Sequence, residues 1–188
     1  MSNLILVRHG QSVWNLQNRF TGWVDVELTE GGELEAKKAG NLIKALDIKI
    51  DLFYSSIQLR AKDTLKLIKE ILKNNEPSQR AWQLNERHYG ALTGLNKDEM
   101  KKKLGEETVH KFRRSFEKRP DKLNINSPYH PINIEIYKSI PPENIPDTES
   151  LKDTYERVLP YFKKEIQNKL ENNKNVLVAA HGNSIRAI

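Results

Sequence analysis

Leu4-Ile5-Leu6-Val7-Arg8-His9-Gly10 decides the fold, because it has an echo near the other end of the chain: Val176-Leu177-Val178-Ala179-Ala180-His181-Gly182-Asn183-Ser184. Each stretch is a short apolar run that stops at a histidine and then a glycine. Runs with no polar alternation read as strands covered on both faces. If both lie in one parallel sheet, both imidazoles stand at its carboxyl edge, where open α/β sheets bind ligands. Arg8 adds a rigid fork of donors suited to phosphate or carboxylate. Gly10 has no Cβ, which predicts a close backbone approach to a ligand.

The residues between these runs carry alternating strand and helix patterns, which argue for a parallel sheet flanked by helices. Thr29 is a suitable N-cap for a helix over 30–46, with Leu34, Ala39, Leu42, Ile43 and Leu46 as its predicted buried stripe. Leu52-Phe53-Tyr54 predicts a second strand ending at Ser55-Ser56. Ile57, Ala61, Leu65, Ile68 and Leu72 give one apolar face to a helix over 57–73, closed by Pro77. Residues 96–118 are charged and helical in pattern. Six of the eight prolines fall within 120–146, a long irregular excursion of the kind that serves as a lid, a binding loop or a passive insertion. A last long helix starts near Leu151, with Tyr155, Val158, Leu159, Phe162, Ile166 and Leu170 predicted inward and a kink at Pro160.

Bulk composition narrows the possibilities. A chain of 188 residues predicts one domain, 1–188, with a core of useful size. It has no cysteine, which removes disulfides, thiolate catalysis and cysteine-based metal sites. No apolar stretch reaches the ~18–20 residues of a membrane span, and no basic-then-apolar leader is visible, so a cytoplasmic setting without membrane contact is expected. The net charge of +6 suits an anionic partner. Aromatics are not interleaved with the basic runs, and no DNA-binding motif is present, so a small anion is expected rather than nucleic acid.

Paired histidines on strand ends can bind a metal. Here Arg8 would repel a divalent cation and no carboxylate neighbours either histidine, so no metal is expected and phosphate is the better guest. A neutral imidazole can accept a phosphoryl group. Cations must then stabilise that group in transit.

Leu6-Val7-Arg8-His9-Gly10-Gln11-Ser12 resembles the signature of the histidine phosphatase superfamily, and within it the chain resembles the cofactor-dependent phosphoglycerate mutases. Arg19-Phe20-Thr21-Gly22-Trp23, Arg60-Ala61, Glu86-Arg87-His88-Tyr89-Gly90-Ala91-Leu92, Gly94-Leu95-Asn96-Lys97, Arg113-Arg114 and Ala179 to Ser184 follow in that family's order and spacing. The resemblance implies a three-layer α/β sandwich on a mainly parallel sheet, with an inserted helical and loop lid over about 90–147. It implies that His9 is the nucleophile and that Arg8, Arg60 and the cationic His181 surround the phosphoryl group. Glu86 becomes the general acid and base. Gly10, Gln11, Ser12, Asn15, Thr21, Gly22, Arg87, His88, Tyr89, Lys97, Arg113, Arg114, Gly182 and Asn183 become substrate contacts. It implies priming by 2,3-bisphosphoglycerate and a homo-oligomer, dimer or tetramer.

Two other readings share these motifs. In a phosphatase, water accepts the phosphoryl group from the same histidine. In an inactive relative the site would only bind anions. The last expectation concerns the end at Ile188, seven residues after His181, where the family fold continues. A fragment of a longer protein is expected, with the strand at 176–180 lacking part of its cover.

Overall fold

The computed structural model describes residues 2–188. Strands β1 (Leu4–Arg8), β2 (Leu52–Ser55), β3 (Ser78–Arg80) and β4 (Val176–Ala180) form one parallel sheet in the order β1-β4-β2-β3. The expected parallel α/β sheet is therefore present. Its third strand was not expected, because Ser78-Gln79-Arg80 carries no apolar residue.

Alternate residues of the strands supply two separate cores, as pleating requires. Tyr54, Val176, Val178 and Ala180 pack on one face with Val158 and Ile166 from α6 (Leu151–Tyr161) and the helical turns that follow it. Phe53, Leu177 and Ala179 pack on the other face with Ile43 from α2 (Glu30–Lys44) and Leu65 and Ile68 from α3 (Leu59–Ile71). β4 is buried along its whole length. This corrects the expectation that it would lack cover. The outer strands β1 and β3 are the partly exposed ones.

Several helices depart from their predicted faces. In α2 the buried residues are Gly32, Ala36, Gly40 and Ile43, while Leu34, Leu42 and Leu46 are exposed. The reason is close packing: a Cβ on Gly40 would sit 3.0 Å from the Ile71 Cβ of α3. Small residues let the two helices approach, so the leucines cannot be the inner face. Tyr155 of α6 is likewise exposed and meets Phe116 edge-on. After Pro160 the helix continues as a π-helical stretch, Phe162–Gln167, and then α7 (Asn168–Glu171). A proline lacks the N–H that the regular ladder needs, which is a recognised cause of such irregularity.

The charged segment is two helices, α4 (Lys97–Leu104) and α5 (Glu106–Arg114). They meet at Gly105, whose φ of 87° no β-branched or bulky residue would tolerate well. The proline-rich excursion is short 3₁₀ turns rather than bare loop. It is anchored by Tyr137, fully buried against Trp23.

The first strand leads through His9 into α1 (Val13–Leu16), which Ser12 caps in reciprocal bonds with Asn15 at 3.3 Å each way. Gly10 is needed here for packing and not only for a ligand. A Cβ on it would lie 2.1 Å from the Gly32 carbonyl oxygen, and a Cβ on Gly32 would lie 2.1 Å from that of Gln11. Replacing Gly10 by alanine should therefore cost about 1–3 kcal/mol, because a methyl group is forced into backbone. The expected reading is a drop of ~2–4 °C in Tm per kcal/mol. An unchanged urea midpoint would contradict this packing.

Candidate active site

β1 and β4 pair in register from Leu4 opposite Val176 to Arg8 opposite Ala180. One residue further on, His9 and His181 are neighbours, with ring centroids 4.9 Å apart. The His9 amide continues the ladder by donating to the Ala180 carbonyl at 3.0 Å. Its ring Nδ1 lies 2.7 Å from the Gly10 carbonyl oxygen, an acceptor only, so Nδ1 carries the proton. Nε2 is left with a free lone pair, the form a nucleophile requires.

Burial pulls the His9 pKa down to about 3, with Arg60 and then Arg8 acting in the same direction. His181 lies at the start of α8 (Gly182–Arg186), with Nε2 2.7 Å from the Ser56 hydroxyl and a buried Nδ1 that has no partner. Burial and then Arg60 hold its pKa well below the ordinary value. The imidazole is therefore held toward its neutral form in these surroundings.

Arg60 is buried on α3 and donates to the carbonyls of Val24 at 2.9 Å and Gly22 at 2.8 Å. Gln58 joins it to the next group. Its Oε1 accepts from Arg60 Nη2 at 3.2 Å and from the Glu86 amide at 3.0 Å. Glu86 is held at Oε1 alone, by the Arg87 amide at 2.8 Å and by Asn183 through its amide at 3.3 Å and Nδ2 at 2.9 Å. Asn183 Nδ2 also donates to the Tyr89 hydroxyl at 3.2 Å.

Of these groups His9, Arg60, Glu86 and Tyr89 line one cavity, together with Arg8, Asn15, Arg19, Thr21, Gly22, Lys97 and Arg113, while His181 lies behind it, against His9. Five cationic side chains there face a single carboxylate. Burial, Arg113 and Arg8 lower the Lys97 pKa to about 8. The Thr21 hydroxyl is buried without a partner and belongs to the same wall. Arg114 and Asn183 line an adjoining cavity that shares Arg113. A larger cleft of about 840 Å³ opens along α3 and β3, but it holds no histidine and none of these groups.

Other predicted contacts do not line the cavity. Gln11 bonds to Thr29 and through its amide to Glu35, and Ser12 caps α1. His88 is fully buried, with Nδ1 accepting from the Gly90 amide at 3.0 Å and its ring 6.3 Å from that of His130. Arg87 donates to the Phe112 carbonyl and stacks on Tyr89, which leaves its Nε and Nη1 without partners. Gly10 and Gly182 supply backbone at the strand ends. The sequence assigns no role to Arg19, Ser56 or Gln58, which the structure places in or beside this site. Ser56 had a usable signal, since it directly follows β2 (Leu52–Ser55) at the same carboxyl edge as both histidines.

A site that sets a neutral histidine among cations at a parallel-sheet edge is suited to phosphoryl transfer through that histidine. The sequence model of the histidine phosphatase superfamily (branch 1) matches residues 4–130. The chain belongs to that superfamily. It is 68% identical over 188 residues to a curated 2,3-bisphosphoglycerate-dependent phosphoglycerate mutase of Pelagibacter ubique, covering 100% of this chain and 79% of that protein. It is 48% identical to the Staphylococcus saprophyticus protein of the same name, covering 100% and 83%. A mycobacterial glucosyl-3-phosphoglycerate phosphatase superposes with a TM-score of 0.72 at 23% identity, covering 100% of this chain and 79% of that one. That likeness bears on the fold alone.

The buried neutral histidines set a pH dependence of stability. His9 and His88 have folded pKa values of about 3, and that of His181 is also depressed. The unfolded chain therefore binds more protons below about pH 6.5, and stability falls as pH drops. From pH 7 to 5.5 the loss should approach about 1 kcal/mol per histidine. Urea unfolding at both pH values checks this, and a flat profile would contradict neutral burial.

Proposed function

We propose that this chain interconverts 3-phosphoglycerate and 2-phosphoglycerate, with His9 as the transient phosphoryl carrier. One observation carries the reading. Lys97 and Arg113, from the charged helices α4 and α5, line the same cavity as His9, Arg8 and Arg60 from the sheet edge. A phosphoglycerate has an anion at each end, and this cavity offers cations for both. The likeness to curated mutases along the whole of this chain supports the same substrate.

The cavity also fits the bisphosphate that such relatives carry in their name. Its cationic lining and the unpartnered Thr21 hydroxyl suit a polyanion. When bound, 2,3-bisphosphoglycerate supplies the phosphoryl group that loads His9. Arg8 and Arg60 then stabilise charge on the transferred group. Arg60 can do so without moving, because its guanidinium is already fixed by the Gly22 and Val24 carbonyls.

A phosphoryl dianion beside His181 would favour its protonated form, so the cation expected there arises when the charge it serves arrives. Glu86 gives a proton to the departing hydroxyl and takes one from the attacking hydroxyl. Its Oε2, free of protein hydrogen bonds among the described residues, is the atom for that work. Tyr89, Lys97 and Arg113 hold the remote carboxylate.

Phosphorus NMR of 3-phosphoglycerate with a trace of bisphosphate separates the outcomes. The expected result is growth of the 2-phosphoglycerate signal, while dominant release of inorganic phosphate would overturn the mutase reading. Glu86→Gln should slow isomerisation by about 10²–10⁴-fold with a much smaller change in KM. Unchanged turnover would remove Glu86 from this role.

A further inference from the structure

We propose that the buried pair Arg157–Glu149 is a positioning device for Glu86. Arg157 lies on α6 and Glu149 just before it, and their side chains are only 11% and 4% exposed. Their ion pair is bidentate, with Nε to Oε1 at 2.6 Å and Nη2 to Oε2 at 3.0 Å. Both partners also grip the segment that carries Glu86. Arg157 donates to the carbonyls of Gln83 at 2.6 Å, Asn85 at 3.0 Å and Glu86 itself at 2.9 Å. Glu149 Oε2 accepts from the His88 amide at 2.8 Å. The backbone is thus pinned immediately before, at and two residues after the acid.

A buried ion pair is weak evidence for stability, since desolvation can outweigh its Coulomb energy. Its bonds here go to backbone groups of one short segment, a single 3₁₀ turn (Trp82–Leu84) followed by residues 85–88, which lie outside any helix or strand. The Glu86 carboxyl is held at one oxygen only. The direction of the other oxygen therefore depends on where the backbone lies. Displacements of about 1 Å in such a group can cost 10²-fold in rate.

The inference rests on Glu86 acting as the proton donor, and the test separates the two. Arg157→Lys keeps the charge but cannot span the same acceptors with a planar fork. Glu149→Gln keeps the shape and one acceptor oxygen. The probe is the donor that loads His9. Loading from 2,3-bisphosphoglycerate needs a proton on the leaving alkoxide, whereas loading from p-nitrophenyl phosphate does not, because the nitrophenolate leaves as an anion. Each variant should lower isomerisation and loading from bisphosphoglycerate by about 10–100-fold, with the nitrophenolate burst within about threefold of the parent.

Equal losses with both donors, or isomerisation at the parent rate, would overturn the proposal. If Arg157→Lys does not fold, Glu149→Gln decides on the same criteria. Glu86→Gln serves as the reference. If it shows no dependence on the donor, the reading of Glu86 fails; if it does and the pair variants do not, the positioning claim fails.

Discussion

The site depends on the parallel register between β1 and β4. Leu4 pairs with Val176 and Arg8 with Ala180, so the two chain segments reach the sheet edge at the same height. A slip of one residue would send every side chain of one strand to the opposite face. The two-sided cores make that slip costly, because Leu177 and Ala179 pack toward α2 and α3 while Val176, Val178 and Ala180 pack toward α6. The 4.9 Å approach of the two imidazoles is therefore a product of core packing.

Around that pair the protein faces an electrostatic problem. Cations must be concentrated for an anion without collapsing onto the nearest carboxylate. The solution is to bind them to neutral acceptors. Arg60 is held by the carbonyls of Gly22 and Val24, and Arg87 by that of Phe112. Carbonyl dipoles fix the direction of a guanidinium while leaving its charge uncompensated for a ligand. Burial first, and the same cationic field second, hold the two histidines toward their neutral forms. Gln58 couples the two halves, since one of its oxygens touches both Arg60 and the Glu86 amide.

The strands with unbroken apolar runs were legible, because burial on both faces leaves a direct mark in the sequence. α3 was legible for a different reason, an apolar stripe at helical spacing that includes the buried Ala61, Leu65 and Ile68. β3 was not, since three polar residues at a sheet margin carry no periodic signal. The inner face of α2 was misread because leucine outweighs glycine on any hydrophobic scale, whereas the close contact with α3 demands small residues. Within the site, motif order identified the residues but not their directions. His88 lies between the cavity-lining Glu86 and Tyr89 in sequence and yet turns into the interior toward His130. Arg157 and Glu149 were invisible for a different reason: a charged residue in a helix ordinarily faces solvent, and only the three-dimensional path of residues 83–88 gives these two their acceptors and donors.

The central claim is that His9 Nε2 carries the phosphoryl group. Incubation with isotopically labelled 2,3-bisphosphoglycerate, followed by quenching in base and peptide mapping by mass spectrometry, tests it most directly. The account predicts an acid-labile, base-stable label on the peptide containing His9, and none on a His9→Ala variant. Label on another residue, or label that persists in that variant, would contradict it.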